Sequence, residues 1–303
     1  MKISVIIPTI NFSSGIKRAL ADIKRQTADI AEILIVDSSS DDGTADIARG
    51  MGLKVITVPR EAFDHGGTRA LAARAAAGDI LVYFTQDAVL PDRNAVARLV
   101  AVFEDVKIGA AYGRQLPHTD ADIFGRVLRF FNYPDTSCQR SLGDRKKYGI
   151  KTPFLSNSFS AYSKKVLEEI GWFKDGLILG EDTYAGARML MAGYRIAYVS
   201  EAVALHSHNY TIRQEFKRYF DIGVFHRKER WILDTFGEAE GEGLTFILSS
   251  LKFMKENRAS MRVPEFFWRT GLKYLGYKAG YFHDFIPLTL VKRLSMHSSW
   301  WSR

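Results

Sequence analysis

Hydrophobic and polar residues alternate in blocks along the first hundred residues of the chain. Short, mainly apolar runs of strand length, such as ISVIIPT, EILIVD, LKVITVP and ILVYFT, are separated by stretches whose apolar residues recur every three or four positions. In the first of these stretches the apolar residues share one helical face: Ile16, Ala19, Leu20 and Ile23. The pattern predicts strands alternating with helices, with Ser13 or Ser14 capping the first helix and Asp92 a later one.

The predicted strands are apolar on both faces, which is typical of a mainly parallel sheet covered by helices on both sides. The sequence therefore predicts an α/β fold. In such sheets, ligands bind beyond the carboxyl ends of the strands. Three predicted strands end on or just before groups that can bind a ligand, namely Pro8 and Thr9, Asp37, and Asp87. We expect these groups to lie along one edge of the sheet.

The rest of the chain is less regular. FGRVLRFFNYP is compatible with a helix or a partly mobile loop, whereas LSNSFSAYSKKVLEEIGWF predicts a strand leading into a helix. GEDTYAGARMLMAGYRIAYVS predicts a helix that ends at Gly193 before another strand. After ALHSHNYT the pattern changes to long aromatic and basic helices. We therefore divide the chain into an α/β domain at 1–208 and a basic, aromatic helical region at 209–303.

Composition narrows the class of protein. A chain of 303 residues with 47% hydrophobic content can bury a full core. The single cysteine, Cys138, excludes an internal disulfide and suits a reducing compartment. MKISVIIPT does not resemble a signal peptide, and no apolar run approaches the roughly 20 residues of a spanning helix. We expect a cytoplasmic protein, either free or peripheral to the membrane.

The net charge of +8 is unevenly distributed. Residues 244–303 contain ten Lys and Arg residues against three acids, and the preceding GEAEGEG loop is acidic. This asymmetry predicts an anionic partner for the tail, either phospholipid headgroups or nucleic acid. Aromatic residues in FFWRTGLKYLGYKAGYF favour a membrane surface, although helices packed on the first domain with solvated cations would give the same pattern.

Several common motifs are missing from the sequence. The first strand is followed by PTINFSSG, which is neither a dinucleotide-binding glycine turn nor a lysine-bearing phosphate loop. There is no H-E-x-x-H metalloprotease motif and no G-x-S-x-G nucleophile motif. The residues left to carry chemistry are acids, a histidine pair and a glycine turn.

Two motifs could contact a nucleotide. Asp37, after EILIVD, can accept a hydrogen bond from the imide N–H of uracil or thymine, or it can simply cap the following turn. In FDHGGTR, glycines allow a tight turn or a close approach to a ligand, and His65 and Arg69 can donate to a phosphate or base. A plain loop before an amphipathic helix is the alternative for the second motif.

Acids and histidines suggest a metal and a base. Asp87, in FTQDA, can bind Mg²⁺ or Mn²⁺, or form a turn before Pro91. His206 and His208 follow a predicted strand, and imidazole is a ligand for Mn²⁺. The acids of GEDTYAGARML either interact with the helix dipole or supply a general base, with Arg188 on the same helix.

Taken in order, these motifs resemble a known family. VIIPTIN, IVDSSSDDGT, GGTR with AAAGDILVYFTQDA, GEDTYAGARMLMAGYRI and ALHSH resemble the inverting GT-A nucleotide-sugar glycosyltransferases over residues 1 to about 210. FDHGGTR followed by TQDA is most similar to bacterial dTDP-L-rhamnose-dependent rhamnosyltransferases, which build O-antigen and other surface polysaccharides on lipid carriers. The resemblance implies a Rossmann-like central sheet with helices on both faces, plus a C-terminal helical extension.

The resemblance also implies roles for individual residues. Asp182 would be the catalytic base with Glu181 as its neighbour, and Asp87 and His206 would bind Mg²⁺ or Mn²⁺. Thr85 stands where the family's metal motif usually has its first acid, which weakens the expected grip on the ion. The nucleotide-sugar contacts would be Pro8, Thr9, Asp37, His65, Gly67, Arg69, Gln86 and Asp87. The acceptor contacts would be Trp172, His208 and Arg188.

The expected function is therefore a metal-dependent inverting transfer of L-rhamnose from dTDP-L-rhamnose to a lipid-linked saccharide. The tail would hold the enzyme on the anionic inner face of the cell membrane, and no nucleic acid is expected as a partner. Three alternatives are a UDP-hexose donor on the same fold, a basic nucleic-acid-binding protein, and a nucleotidyltransferase. The last would usually carry a lysine in the loop after the first strand, which PTINFSSG lacks.

Overall fold

A computed structural model of the protein describes residues 1–237 and 242–302, so most of the GEAEGEG loop and Arg303 lie outside the described residues. The described residues form one eight-stranded sheet, with the strand order β3-β2-β1-β4-β7-β5-β8-β6. The strands are β1 (Ile3–Thr9), β2 (Ile30–Asp37), β3 (Lys54–Thr57), β4 (Ile80–Phe84), β5 (Ile108–Leu116), β6 (Cys138–Arg140), β7 (Phe159–Ser163) and β8 (Arg195–Leu205).

Helices connect the strands and continue beyond the sheet. Those between strands are α1 (Ser13–Lys24), α2 (Thr44–Gly50), α3 (His65–Ala75), α4 (Ala95–Ala101), α5 (Ile123–Asn132), α6 (Arg145–Tyr148), α7 (Lys164–Glu169) and α8 (Glu181–Met191). The C-terminal helices are α9 (Ile212–Lys228), α10 (Arg230–Phe236), α11 (Glu242–Glu256), α12 (Val263–Tyr281) and α13 (Leu288–Leu294). The predicted α/β domain with a helical extension is confirmed.

The sheet is more mixed than the sequence predicted. Strands β1 to β4 are parallel to one another, as expected from their apolar runs. Strand β7 is inserted between β4 and β5 and runs antiparallel to both, and β6 is antiparallel to β8. Helices cover both faces, because side chains of α3, α7 and α8 join one buried cluster and those of α1 and α4 join the other.

Two predicted caps are wrong. Helix α1 begins at Ser13, and neither Ser13 nor Ser14 caps it. Instead Asp42, in the loop after β2, accepts a hydrogen bond from Ser13 N at 2.8 Å. Helix α4 begins after Asn94, and Asp92 forms a turn ahead of it by accepting from Asn94 N. FGRVLRFFNYP is a helix rather than a loop over most of its length, and Asp122 caps it.

The C-terminal helices share the core of the sheet domain. Phe220 and Val224 of α9 are buried in the same cluster as Tyr83 and Tyr162 of the sheet. Helices α9 and α12 are in backbone contact, since a Cβ at Gly280 would lie 1.8 Å from the carbonyl oxygen of Phe220. Such an approach requires glycine on one of the two helices.

Helix α12 buries charged side chains and exposes apolar ones, the opposite of an ordinary surface helix. Arg269 and Lys273 are buried, and each forms an ion pair of 3.0 Å with the buried Glu215 of α9. The opposite face is apolar and exposed, with exposed fractions of 49 to 63%: Phe267, Trp268, Tyr274 and Leu275. Within the described ranges, no helix has the length and apolar character needed to cross a membrane.

Candidate functional site

The carboxyl ends of β1 and β2 meet as the sequence predicted. Thr9 and Asp37 are register partners, and Thr9 Oγ1 donates to Asp37 Oδ1 at 3.2 Å. Asp37 also accepts from Ser40 N at 2.9 Å and from the Ser40 hydroxyl, so it holds the turn after β2. Asp37 therefore lies at the rim, where a nucleotide contact is expected. The contacts that it makes in the structure are those of a turn-forming residue. Pro8 precedes this pair and is partly buried.

Gln86 joins the ends of β1 and β4. Its side-chain oxygen accepts from Ile10 N at 2.8 Å, and its amide nitrogen donates to Ile10 O at 3.1 Å. The residue after Gln86 is Asp87, so the rim is continuous from Asp37 through Thr9 to the acid of FTQDA. A ligand bound at this edge would span these groups.

Asp87 and the histidine pair are brought together by a short bridge between two chain segments. Val89 and Leu205 exchange backbone hydrogen bonds of 3.0 and 2.8 Å, which ties the loop after β4 to the end of β8. Asp87 Oδ2 then lies 3.4 Å from His206 Nε2 and 3.8 Å from His208 Nδ1. One ligand atom from each of the three side chains lies within 4.8 Å of the others.

The three side chains fit a divalent cation. His206 Nδ1 is 2.9 Å from Gln115 Oε1, which also accepts from Arg129. Because that oxygen can only accept, Nδ1 carries the proton and Nε2 presents its lone pair towards Asp87. One carboxylate and two imidazoles form a donor set that suits Mn²⁺.

The protonation states fit as well. Burial would raise the pKa of Asp87, but its contacts with His206, Thr85 and His208 hold it below its usual range. Burial lowers the pKa of His206 despite the opposing effect of Asp87. Burial and the adjacent His206 lower the pKa of His208 to about 4. At neutral pH the group therefore has one carboxylate and two neutral rings, which are the forms that bind metals.

Thr85 stands at the position where the family's metal motif usually has its first acid. Its hydroxyl is buried and lies beside Asp87, whose pKa it helps to lower. The hydroxyl cannot replace the charge of an acid, but it can bind a polar ligand such as a ribose hydroxyl or a water on the ion. His208 occupies the third position of the metal group, which differs from its expected role as an acceptor contact.

The adjacent acids at the start of α8 have different environments. Glu181 is buried, lies 3.3 Å from Arg69 Nη1, and accepts from Asn157 Nδ2 at 2.9 Å. Burial would raise the pKa of Glu181, but Arg69 and His65 hold it below its usual range. Burial and the adjacent Glu181 carboxylate raise the pKa of Asp182 to about 7. Of the two acids, Asp182 is the one poised to accept a proton near neutral pH.

Asn157 connects the acid pair to the metal group. Its backbone N–H donates to Asp182 Oδ2 at 3.3 Å. The next residue, Ser158, accepts from the backbone N–H of Thr85. Because β7 follows directly and pairs with β4, Asp182 and the Asp87–His206–His208 group lie on the same part of the rim.

The FDHGGTR turn has a structural reason for its glycines. A Cβ at Gly66 would lie 1.7 Å from Lys174 O, so this position must lack a side chain. Gly67 has room for a Cβ, and its N–H donates to Asp64 Oδ1 at 2.8 Å as the cap of α3. That N–H is not available to a phosphate. The side chains of His65 and Arg69 remain beside Glu181.

Two predicted acceptor residues lie apart from this group. Trp172 packs against Arg74, at the end of α3 opposite His65. Arg188 is exposed and lies almost two turns along α8 from Asp182. The structure therefore does not bring Trp172 or Arg188 to Asp182 or to the Asp87–His206–His208 group.

The sequence reasoning missed several polar residues at the site. Asn157 and Gln115 are buried polar residues, but each follows another polar residue in the sequence, so no local contrast marked them. His297 lies near the C-terminal end of the described chain, yet its ring is 5.1 Å from that of His65. No local pattern could have indicated that contact, because it joins distant parts of the sequence.

Comparison with known proteins agrees with this geometry. Residues 4–171 match the family described as glycosyl transferase family 2. The O-antigen chain rhamnosyltransferase RfbN of Salmonella typhimurium strain LT2 is 43% identical, over 100% of this chain and 96% of its own. The O-antigen chain rhamnosyltransferase WbaN of Salmonella anatum is 42% identical, over 99% of this chain and 95% of its own.

Solved structures show the same fold. The mannosyltransferase PcManGT from Pyrobaculum calidifontis, in complex with GDP-Man and Mn²⁺, aligns with a TM-score of 0.65 at 19% identity. The alignment covers 93% of this chain and 87% of that one. The chain therefore belongs to glycosyl transferase family 2: it is a glycosyltransferase with the GT-A fold.

Proposed function

We propose that the protein transfers L-rhamnose from dTDP-L-rhamnose to a hydroxyl group of a lipid-linked saccharide during surface polysaccharide synthesis. The observation that carries the proposal is the position of Asp182, a carboxyl with a pKa of about 7, next to the Asp87–His206–His208 group. The choice of sugar is supported by the two Salmonella relatives, each named an O-antigen chain rhamnosyltransferase and aligned over nearly the whole chain.

The proposed reaction is a single displacement at the anomeric carbon. The acceptor oxygen forms a bond to that carbon while the bond to the diphosphate oxygen breaks, so the configuration inverts. Asp182 takes the proton of the acceptor hydroxyl, a contribution typically worth about 10²–10⁴-fold. Glu181 cannot share this role, because Arg69 and Asn157 hold it as a buried, hydrogen-bonded carboxylate.

Asp87, His206 and His208 would hold Mg²⁺ or Mn²⁺, which supplies charge neutralisation for the departing diphosphate. Thr9 and Asp37 would hold the nucleotide at the ends of β1 and β2, on the far side of Gln86 from the metal group. His65 and Arg69 lie on the side of the base. The donor would therefore lie along the rim with its sugar towards Asp182.

We also propose that residues 209–303 place the enzyme on an anionic membrane, with 1–208 as the catalytic domain. The support is the reversed helix α12, which buries its two cations against Glu215 and exposes aromatic and apolar side chains. Phe285 and, on α13, Leu288 and Leu290 are further exposed apolar side chains of the C-terminal region. An amphipathic helix of this kind lies in a lipid interface, where a lipid-linked acceptor would be found.

This surface is less basic than the charge of residues 244–303 predicted. Arg269 and Lys273 are turned inward, and Arg262 pairs with Glu265 at 2.7 Å. Lys278 is exposed and lies over the ring of Tyr274, where it would contact anionic headgroups. The aromatic side chains would thus contribute more to binding than the net charge of the tail suggests.

A donor screen tests the proposed function. The purified protein is mixed with dTDP-L-rhamnose, UDP-glucose or GDP-mannose, each with Mn²⁺, Mg²⁺ or EDTA, and thermal stability and nucleotide release are measured. We expect dTDP-L-rhamnose to stabilise the protein with either metal and not with EDTA. Stabilisation only by UDP-glucose or GDP-mannose would mean that the donor is not dTDP-L-rhamnose. Full activity in EDTA would mean that the reaction does not need a metal ion.

A further inference from the structure

After α13, the segment Ser295–His297 is anchored to α9 by a buried acid. Asp221 of α9 is fully buried, and its Oδ2 accepts from Met296 N at 2.9 Å and from His297 N at 3.2 Å. Lys217, one turn earlier, donates to Ser295 O at 3.2 Å. Two consecutive N–H groups bound by one carboxylate fix the backbone of the segment Ser295–His297.

This anchoring places His297 against the FDHGGTR turn. The rings of His297 and His65 meet edge to face, with centroids 5.1 Å apart and an angle of 84°. The backbone oxygen of His65 accepts from Arg69, and Arg69 pairs with Glu181. His297 is therefore linked through three contacts to the acid next to the proposed base.

Both rings have unused hydrogen-bonding capacity. Neither His65 nor His297 has a ring nitrogen with a hydrogen-bond partner among the described residues, and both side chains are partly exposed. Burial and the nearby cations keep both rings neutral: burial lowers the pKa of His65, and burial with His65 lowers the pKa of His297 to about 4. A neutral imidazole donates one hydrogen bond and accepts another.

We propose that His65 and His297 bind hydroxyl groups of the donor's sugar, and that Asp221 is the positioning residue that holds His297 in place. Paired donor and acceptor nitrogens suit the hydroxyls of a neutral sugar, whereas a diphosphate would need donors alone. The sugar must lie between the diphosphate and the base, and the two rings are on the base's side of the rim. This inference rests on the proposed function, because it needs a nucleotide-sugar donor.

The test compares the affinity for dTDP with that for dTDP-L-rhamnose, by calorimetry in the presence of Mn²⁺. His297→Ala should weaken dTDP-L-rhamnose binding about tenfold, the value of one good hydrogen bond, and leave dTDP binding within about twofold. His297→Gln should recover part of the loss, because its amide also donates and accepts. Asp221→Ala should behave like His297→Ala. Ser299→Ala, an exposed neighbour, is the matched control.

Two results would overturn the inference: unchanged affinity for both ligands in His297→Ala, or equal weakening of both, which would indicate a structural role. If Asp221→Ala fails to fold, His297→Ala and His297→Gln still decide the matter. Failure of the proposed donor is seen separately, because the wild-type protein would then bind another nucleotide sugar. The same comparison is made with that sugar and its free nucleotide.

Discussion

Arg69 Nη1 lies 3.3 Å from Glu181 Oε1, and both side chains are buried at the rim of the sheet. This ion pair leaves Glu181 charged and Asp182, the next residue, with a raised pKa. Two adjacent acids thus have separate tasks, one in a buried ion pair and one able to accept a proton.

Replacing Arg69 should destabilise the fold. Arg69→Met leaves Glu181 as a buried carboxylate without its cation, a change that costs about 3–5 kcal/mol of unfolding free energy. Denaturant unfolding measures the loss. The double variant Arg69→Met with Glu181→Met removes both charges and should recover most of the stability. A double variant no more stable than Arg69→Met would contradict the ion-pair account.

Asp182→Asn should abolish transfer while strengthening the fold at alkaline pH. The folded-state pKa of about 7 lies above the ordinary value of 3.8, so ionising this carboxyl inside the fold costs free energy. Its favourable contribution is complete below about pH 4 and is lost as the pH rises through 7. We expect Asp182→Asn to melt a few degrees higher than wild type at pH 8, with a smaller difference at pH 6.

The affinity of Asp182→Asn for the nucleotide sugar should stay close to that of wild type, because none of the expected nucleotide contacts is changed. Near-normal turnover in this variant would rule out Asp182 as the base. Asp46→Asn, an exposed acid on α2, is a control for the general effect of removing one carboxylate.

The pH dependence of kcat/KM should report the ionisation of Asp182. Because the base must be ionised, kcat/KM should fall about tenfold per pH unit below roughly pH 7. Glu181→Gln removes the neighbouring charge that helps to raise the pKa of Asp182. The acid limb of the profile should then move to lower pH, by roughly one unit. A limb that stays in place would mean that another group titrates.

Metal binding should depend on both the ligands and their support. In the presence of dTDP, Asp87→Ala and His206→Ala should weaken Mn²⁺ binding by at least about tenfold, as followed by calorimetry or electron paramagnetic resonance. Gln115→Leu should have a similar but smaller effect, because it frees His206 Nδ1 to change its tautomer. Asp46→Ala should bind Mn²⁺ like wild type. Unchanged affinity in Asp87→Ala would place the ion elsewhere.

Membrane binding should depend on the exposed face of α12. The double variant Trp268→Ser with Tyr274→Ser should float with anionic vesicles about tenfold less than wild type, since both aromatic side chains are exposed. Val106→Ser, which removes an exposed apolar side chain outside the C-terminal region, should float normally. Equal flotation of all three proteins would remove α12 from the proposed membrane surface.

The sequence predicted the first half of the sheet well and the second half poorly. Strands β1 to β4 were visible because each is an apolar run followed by a helix of clear period. The antiparallel insertion of β7 was not, because an apolar run does not encode the identity or direction of its neighbours. Asp182 and Asp87 were proposed as site residues from their motifs, whereas Asn157 belongs to no spacing pattern.

The C-terminal region shows a different limit. The sequence shows the charge and aromatic content of this region. It does not show which side of α12 faces inward. Arg269 and Lys273 are buried because Glu215, more than fifty positions away, offers two carboxylate oxygens. Trp172 was expected at the acceptor site and instead stacks on Arg74, since aromatic residues are equally suited to both tasks.

Strand β7 also affects how the protein is made. Until residues 159–163 leave the ribosome, β4 is an open edge of five aliphatic and aromatic residues, the kind of edge that promotes aggregation. At about 5–20 residues per second, translation takes roughly 4–15 seconds to reach β7 after β4. The same strand is preceded by Asn157 and Ser158, whose backbone groups bind Asp182 and Thr85. Pairing of β7 with β4 therefore closes this edge and brings Asn157 and Ser158 to the rim of the sheet.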